Sequence, residues 1–323
     1  MIISIKRVAV IEAVLIILLL GFIMHSFIQD KNADEQKQNG LLSQKVYIGI
    51  LEPKNMMIVN FKPLKTNIQN YIKENKISAS VYVENLRNGA FMGIGEKTGF
   101  FPASLNKLPV AILVMKKIEE GDFTLDTKLE IKDEDRTDSS GTLYKTAEKE
   151  ISIRILLEKL LKDSDNTALR AFLRNLDLED LQFILDYYGI DISVENQKNE
   201  NLITPKAISN MFLSLYFSTI LEPDNSEYLL SLMTDTVFDI KTVAGLPDDI
   251  KVSHKFGENY YEENKFFHDC GIMYIQESRI FYCIMTKGLD EGQSVESIGA
   301  ITNEIYRYVI ETKANIDDYK PQQ

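Results

Sequence analysis

Residues 99–109 read Gly99-Phe100-Phe101-Pro102-Ala103-Ser104-Leu105-Asn106-Lys107-Leu108-Pro109. A proline-broken stretch here runs into an apolar pattern (Leu105, Leu108, Ile112, Met115) that recurs at helical spacing and stops at Gly121. Ser104 and Lys107 stand three apart at the start of that helix and so share a face. A serine hydroxyl becomes a nucleophile beside a base, and a lysine amine in a buried, electropositive setting is neutral enough to serve as one. The helix N-terminus adds a field that favours developing negative charge. Pro109 falls near the first turn, where a missing N–H costs little. Taken alone, the pair also fits an N-cap serine followed by a surface lysine. Ser-x-x-Lys occurs at this one place in the chain.

Working outward, Leu64, Ile68 and Ile72 predict a helix over 63–74. Residues 78–85 alternate, Arg87-Asn88-Gly89 signals a turn, and 90–94 completes a hairpin. The polar run 133–149 reads as a loop, followed by predicted helices over 152–161, 167–187, 205–217 and 227–236. A second hairpin joins 266–276 to 279–287 around Glu277-Ser278, and Val295, Ile298, Ile305 and Val309 mark a closing helix. Neither strand pair is stable alone. The expected fold class is therefore α+β of the three-layer type: one antiparallel sheet flanked by the first and last helices, plus an all-helical second lobe. The cleft between lobes is the natural place for a site.

The chain has 323 residues, 36 Lys plus Arg against 48 Asp plus Glu, and a net charge of −12. Its apolar content of 45% excludes global disorder. An acidic chain without a basic stripe is not a nucleic-acid binder. Two cysteines and three histidines exclude a disulfide scaffold and argue against a multi-cysteine zinc site. Cys270 and Cys283 fall on the two arms of the last hairpin. Two buried thiols are the expectation, with a disulfide as the alternative outside the cytoplasm.

Residues 8–24 are apolar apart from Glu12, preceded by Lys6 and Arg7 and followed by Asp30, Asp34 and Glu35. This pattern predicts an uncleaved signal anchor over 1–30, its N-terminus in the cytoplasm and the remainder outside, so that the protein is single-pass in the cell membrane. A polar linker follows over 31–44. The folded domain is expected over 45–315, with a sheet lobe at about 45–103 and 250–315, a helical lobe at about 104–249, and a polar tail at 316–323.

Two more short elements complete the pattern. Ser164-Asp165-Asn166 lies between two predicted helices and, alone, reads as a turn that caps the second. Lys255-Phe256-Gly257 precedes the last hairpin. Ser104-x-x-Lys107, then Ser-Asp-Asn 60 residues on, then Lys-x-Gly 91 residues further, resembles the class A β-lactamases and the related penicillin-binding proteins. The likeness spans roughly 45–312. It includes Phe101-Pro102-Ala103-Ser104 with Lys107-Leu108-Pro109, Glu119-Glu120-Gly121, Ile153-Arg154-Ile155-Leu156-Leu157, Thr204-Pro205 and Met285-Thr286-Lys287-Gly288.

The resemblance implies a serine hydrolase acting on β-lactams or peptidoglycan stem peptides, monomeric and without metal or organic cofactor. It implies Ser104 as the acylated nucleophile, Lys107 as its activator, Ser164 as proton relay to the leaving nitrogen and Asn166 as holder of the substrate amide. It implies Lys255 as a catalytic residue that supplies positive charge for the substrate carboxylate and for the proton relay. It places Phe256 and Gly257 along the substrate strand, and it implies an oxyanion hole made by the N–H of Ser104 and a second one after Gly257, expected at Asn259.

The chain also departs from that pattern. Phe256 stands where the family has a hydroxyl that helps hold the substrate carboxylate. The loop between Gly189 and Thr204 that would carry the deacylating acid is short, leaving Glu195 and Glu200 as candidate bases or as part of a solvated acidic loop. Lys97-Thr98-Gly99 matches the usual strand motif but precedes Ser104, and it reads as a turn. His268-Asp269 reads as the end of a strand rather than a catalytic pair. A catalytically weak or inactive cell-wall binding or sensor module of the same fold is the competing expectation.

Overall fold

The computed structural model describes Leu41 and residues 60–190, 202–261 and 264–317. The predicted anchor, nearly all of the linker, and Glu195 and Glu200 lie outside the described residues. Among the described residues no helix is long and apolar enough to cross a membrane.

Helix α1 (Lys62–Glu74) begins with a proline in its first turn and buries Leu64 and Ile68. Strands β1 (Ser78–Asn85) and β2 (Phe91–Ile94) form the first hairpin. A short 3-10 turn, Ala103–Asn106, leads directly into α2 (Lys107–Glu120). Residues 107–115 of α2 are all buried. The predicted one-faced stripe is thus too narrow a description, since a helix apolar all round belongs inside the fold. Gly121 ends it at φ 87°, a left-handed cap that suits glycine.

Short strands β3 (Lys128–Glu130) and β4 (Glu150–Ser152) pair across the polar loop. Helix α3 (Ile153–Lys162) is capped by Ser152 Oγ, which accepts from Ile155 N. The helix predicted over 167–187 is two helices, α4 (Asn166–Asn175) and α5 (Leu178–Tyr187). Leu176 turns extended at φ −104°, ψ 151°, and Asp177 caps α5 through the N–H of Glu179. A local cap overrides a helical period that continues unbroken through the sequence. Helices α6 (Pro205–Tyr216), α7 (Pro223–Leu232) and α8 (Ile240–Ala244) follow. Pro223 in its first turn starts α7 earlier than predicted.

Strands β5 (Lys251–Tyr261), β6 (Asn264–Ile275) and β7 (Ser278–Lys287) precede the closing helix α9 (Glu291–Asp317). The two predicted hairpins join through β1 and β7 into one five-stranded sheet of order β2-β1-β7-β6-β5, antiparallel throughout. One face of the sheet packs with Leu64, Ile68, Ile240, Ile298, Ile301 and Ile305 from α1, α8 and α9. The other face, including Tyr82, Ile272, Phe281 and Met285, packs on the helical lobe. β5 is a free edge of the sheet, and its outer side is turned toward Ser104.

Cys270 and Cys283 are direct cross-strand partners on the helical-lobe face and form a disulfide with S–S 2.10 Å. This corrects the expectation of two buried thiols. Register alone decides the matter: facing positions meet, whereas diagonal ones need not.

The polar loop before α3 is fastened from outside itself. Asp165, fully buried, accepts from Thr142 N and Leu143 N at 2.7 and 2.8 Å and caps α4 through Thr167 N and Ala168 N. Gly141 has φ +83°, and a Cβ there would fall 2.0 Å from Asp165 Oδ2. D165A, which strands four backbone donors, is expected to lower stability by about 3 kcal/mol in urea unfolding, and G141A is expected to destabilise as well. The native chain should take up no iodoacetamide until it is reduced. Reduction should lower stability by about 3 kcal/mol, the chain-entropy value for a loop of this size.

Candidate active site

Ser104 sits in the 3-10 turn ahead of α2, one residue after Ala103, whose φ is +47°. Ser164 follows α3 at φ +55°. Left-handed backbone at a non-glycine residue costs about 1–3 kcal/mol and persists where the surroundings enforce it. Both serines are presented by such strained joints rather than from regular helix.

Four side chains meet here. Lys107 Nζ lies 2.7 Å from Ser104 Oγ and 3.2 Å from Ser164 Oγ. Lys255 Nζ comes from β5 on the opposite side and lies 3.0 Å from Ser164 Oγ. Its other contacts are the Phe256 carbonyl at 2.9 Å and the Phe256 ring, whose centroid is 4.3 Å away. Both amines are buried, at 1% and 0% exposure. Burial disfavours their charged forms. It brings Lys107 down to about 7, opposed by the negative charges of Asp165 and Glu258. Lys255 is held well below the ordinary lysine value, first by burial and then by the charge of Lys107. A neutral Lys107 can accept the Ser104 proton at near-neutral pH, and Ser164 is placed to pass a proton on.

Asn166 is the first residue of α4, with its amide donating to Ser139 Oγ at 2.8 Å. Asp165, between Ser164 and Asn166, is the structural pin already described. Gly257 lies against the 3-10 turn: a Cβ there would be 3.0 Å from Ser104 N and 3.3 Å from Ala103 Cβ. A side chain there would press on the turn's main chain, so glycine eases this close approach of β5 to Ser104.

The expected second oxyanion donor, Asn259, needs correction. In an antiparallel ladder alternate residues turn both N–H and C=O to the same side. His254 N donates outward to Met233 O, and Phe256 O accepts from Lys255 Nζ, also outside the sheet. The register is unbroken from Lys251 to Tyr261, so the N–H and C=O groups of even-numbered residues point out from the sheet edge and those of odd-numbered ones point to β6. The outward N–H beside Gly257 is therefore that of Glu258. Sequence reading misses it because nothing in the sequence marks β5 as a free edge.

His268 is buried, donates through Nε2 to Phe101 O at 2.8 Å, and is kept neutral by burial, which lowers it to about 4. Asp269 faces the other side of the sheet. It accepts from His254 Nδ1 at 2.6 Å and from Tyr282 OH at 2.5 Å. The adjacent pair in sequence is thus no catalytic pair. Lys97 and Thr98 fall in a turn closed by Thr98 N to Gly95 O.

A serine held by a buried lysine, with a second serine bridged by two lysines on a mixed α+β scaffold, defines a serine hydrolase of the acyl-transfer type. The chain belongs to the beta-lactamase enzyme family, whose model Beta-lactamase2 matches residues 63–309. Beta-lactamase VEB-1 of Pseudomonas aeruginosa is 22% identical over 212 residues, 60% of this chain and 71% of that protein. Among solved structures, PBP-A superposes with TM-score 0.69 at 23% identity, covering 77% of this chain and 97% of that one. The TLA-3 extended-spectrum beta-lactamase superposes with TM-score 0.71 at 20% identity, covering 78% and 100%. At these identities the structural likeness speaks for the fold.

With Lys107 near 7, the base form grows as pH rises from 6 to 8. The rate of acylation at Ser104 should therefore climb through this range and level off above it. Stopped-time labelling at a series of pH values checks this, and a flat profile would count against Lys107 as the base.

Proposed function

We propose that the chain is an acyl-enzyme-forming hydrolase of β-lactams or peptidoglycan stem peptides. Ser104 Oγ attacks the substrate carbonyl carbon while Lys107 Nζ takes its proton. The carbonyl oxygen, now negative, is held by the N–H groups of Ser104 and Glu258. The C–N bond then breaks as Ser164, backed by Lys107 and Lys255, delivers a proton to the leaving nitrogen. Asn166 holds the substrate's amide. Water hydrolyses the ester to free Ser104, with Glu195 and Glu200 as candidate bases for that step. The observation that carries this reading is Lys107 Nζ bridging Ser104 and Ser164 while Lys255 engages Ser164 from the other side. PBP-A supports it, since a mutant of that protein is solved as an acyl-enzyme complex with penicillin G.

Residues 1–30 anchor the protein in the cytoplasmic membrane, with the catalytic domain outside and acting as a monomer. The charge flanks of the apolar segment support this, as does the Cys270–Cys283 disulfide, since such bonds persist in oxidising compartments. A weak or inactive cell-wall sensor is the second reading. It is favoured by Phe256 at the position of the family's hydroxyl.

Incubating the full chain with a fluorescent penicillin and following intact mass over hours separates these readings. Acylation is expected on Ser104, absent in S104A and slowed at least about 100-fold in K107A and K255A. A persisting adduct means a penicillin-binding enzyme, and one that clears means a β-lactamase. No adduct with either penicillins or D-Ala-D-Ala peptides would leave the sensor reading.

A further inference from the structure

Phe256 and Glu258 flank Gly257 on β5 and, two residues apart, put their side chains on the same face of the sheet. Gly257 turns its Cβ direction toward the Ser104 backbone, so the Phe256 and Glu258 side chains leave the other face of β5 and reach the site round its outer edge, where the Phe256 ring centroid stands 4.3 Å from Lys255 Nζ and Glu258 is exposed. The Phe256 ring is buried against Phe238 and Phe267, at centroid distances of 5.6 and 6.5 Å. It therefore replaces a potential hydroxyl donor with a fixed apolar wall. The same ring and the Phe256 carbonyl also occupy Lys255. An ammonium has three donors, and this one meets Ser164 Oγ, Phe256 O and the aromatic face.

The charge beside this wall is negative. Glu258 is exposed at the edge, and its field acts on both Lys107 and Lys255. Glu291, at the start of α9, is near enough to raise the Glu258 carboxyl further above its ordinary value, after the larger effect of desolvation. Asp269, the direct β6 partner of Phe256, is buried behind it on the face of the sheet away from Ser104, engaged by His254 and Tyr282. An anionic group bound along β5 would lose a hydroxyl donor and face like charge, which costs affinity.

We propose that Phe256 and Glu258 set the substrate class: acyl donors uncharged on the leaving-group side, a neutral amide or ester in place of a free carboxylate. This rests on the acyl-enzyme reading above and narrows it. Glu258 thereby has two separate parts, its backbone N–H toward the oxyanion and its side chain toward specificity.

Benzylpenicillin and its methyl ester differ in this one charge. The full chain is incubated with each, acylation of Ser104 is followed by intact mass, and rates are normalised to the alkaline hydrolysis rate of each compound. The ester is expected to acylate at least about tenfold faster, the effect of a repelled charge. In E258Q the ratio should fall to about threefold or less, and F256T should raise the rate with the free acid. Because F256T removes a buried ring, E258Q at an exposed position is the decisive variant. Equal rates or a faster free acid overturn the proposal, as does a preference that E258Q leaves unchanged. Calorimetric binding of the same pair to S104A reads the charge preference without a covalent step. Tighter binding of the ester supports the proposal, whereas tighter binding of the acid, equal binding, or no binding of either compound overturns it. Failure of the acyl-enzyme reading has its own signature, the absence of any Ser104 adduct.

Discussion

Two lysine amines buried on either side of one serine hydroxyl are the constraint around which the molecule is arranged. An amine taken out of water loses the solvation of its charged form, and a second amine nearby adds repulsion. Lys107 and Lys255 bear both costs, with Ser164 between them. The fold tolerates this because neither lysine can retreat. Lys107 begins a helix whose next eight residues are all buried, and Lys255 lies in a strand paired along its whole length with β6. Rigid surroundings hold an unfavourable placement in which the Lys107 amine, its pKa lowered by burial, sits 2.7 Å from the Ser104 hydroxyl.

The same rigidity holds the serines. Ala103 and Ser164 both adopt left-handed backbone, which relaxes unless flanking structure prevents it. The 3-10 turn is gripped between α2 and β5, where Gly257 permits contact with the Ser104 main chain. Ser164 is followed by Asp165, whose carboxylate ties the polar loop to the start of α4 through four backbone donors. A carboxylate accepting several N–H bonds is a strong local anchor, and here it fixes the position of the adjoining Ser164.

Below the site, the opposite face of the sheet carries its own polar chain. Thr236 meets His254 Nε2 at 2.9 Å, His254 Nδ1 meets Asp269, and Asp269 meets Tyr282. Gly271 makes room, since a Cβ there would fall 2.4 Å from His254 Cβ. Asp269 also contributes negative charge that favours the protonated form of Lys255. The two faces of β5 are therefore electrostatically linked through a strand only one residue thick.

Much of this was legible in the sequence, because it depends on local periodicity and short spacings. Hydrophobic period placed α1, α2, α9 and both hairpins. The Ser-x-x-Lys spacing put Ser104 and Lys107 within reach of one another, since three residues along a helical turn share a face. Together with Ser164 and Lys255, these residues pointed to the family. What required tertiary structure was everything set by strand order and register. The break at Leu176-Asp177 depends on a cap that outcompetes the helical period. The Cys270–Cys283 bond depends on two positions lying directly opposite rather than diagonal. The outward N–H of Glu258, in place of Asn259, depends on β5 being a free edge. Parity along a strand is fixed by the chain, but which side is open is fixed only by what packs beside it.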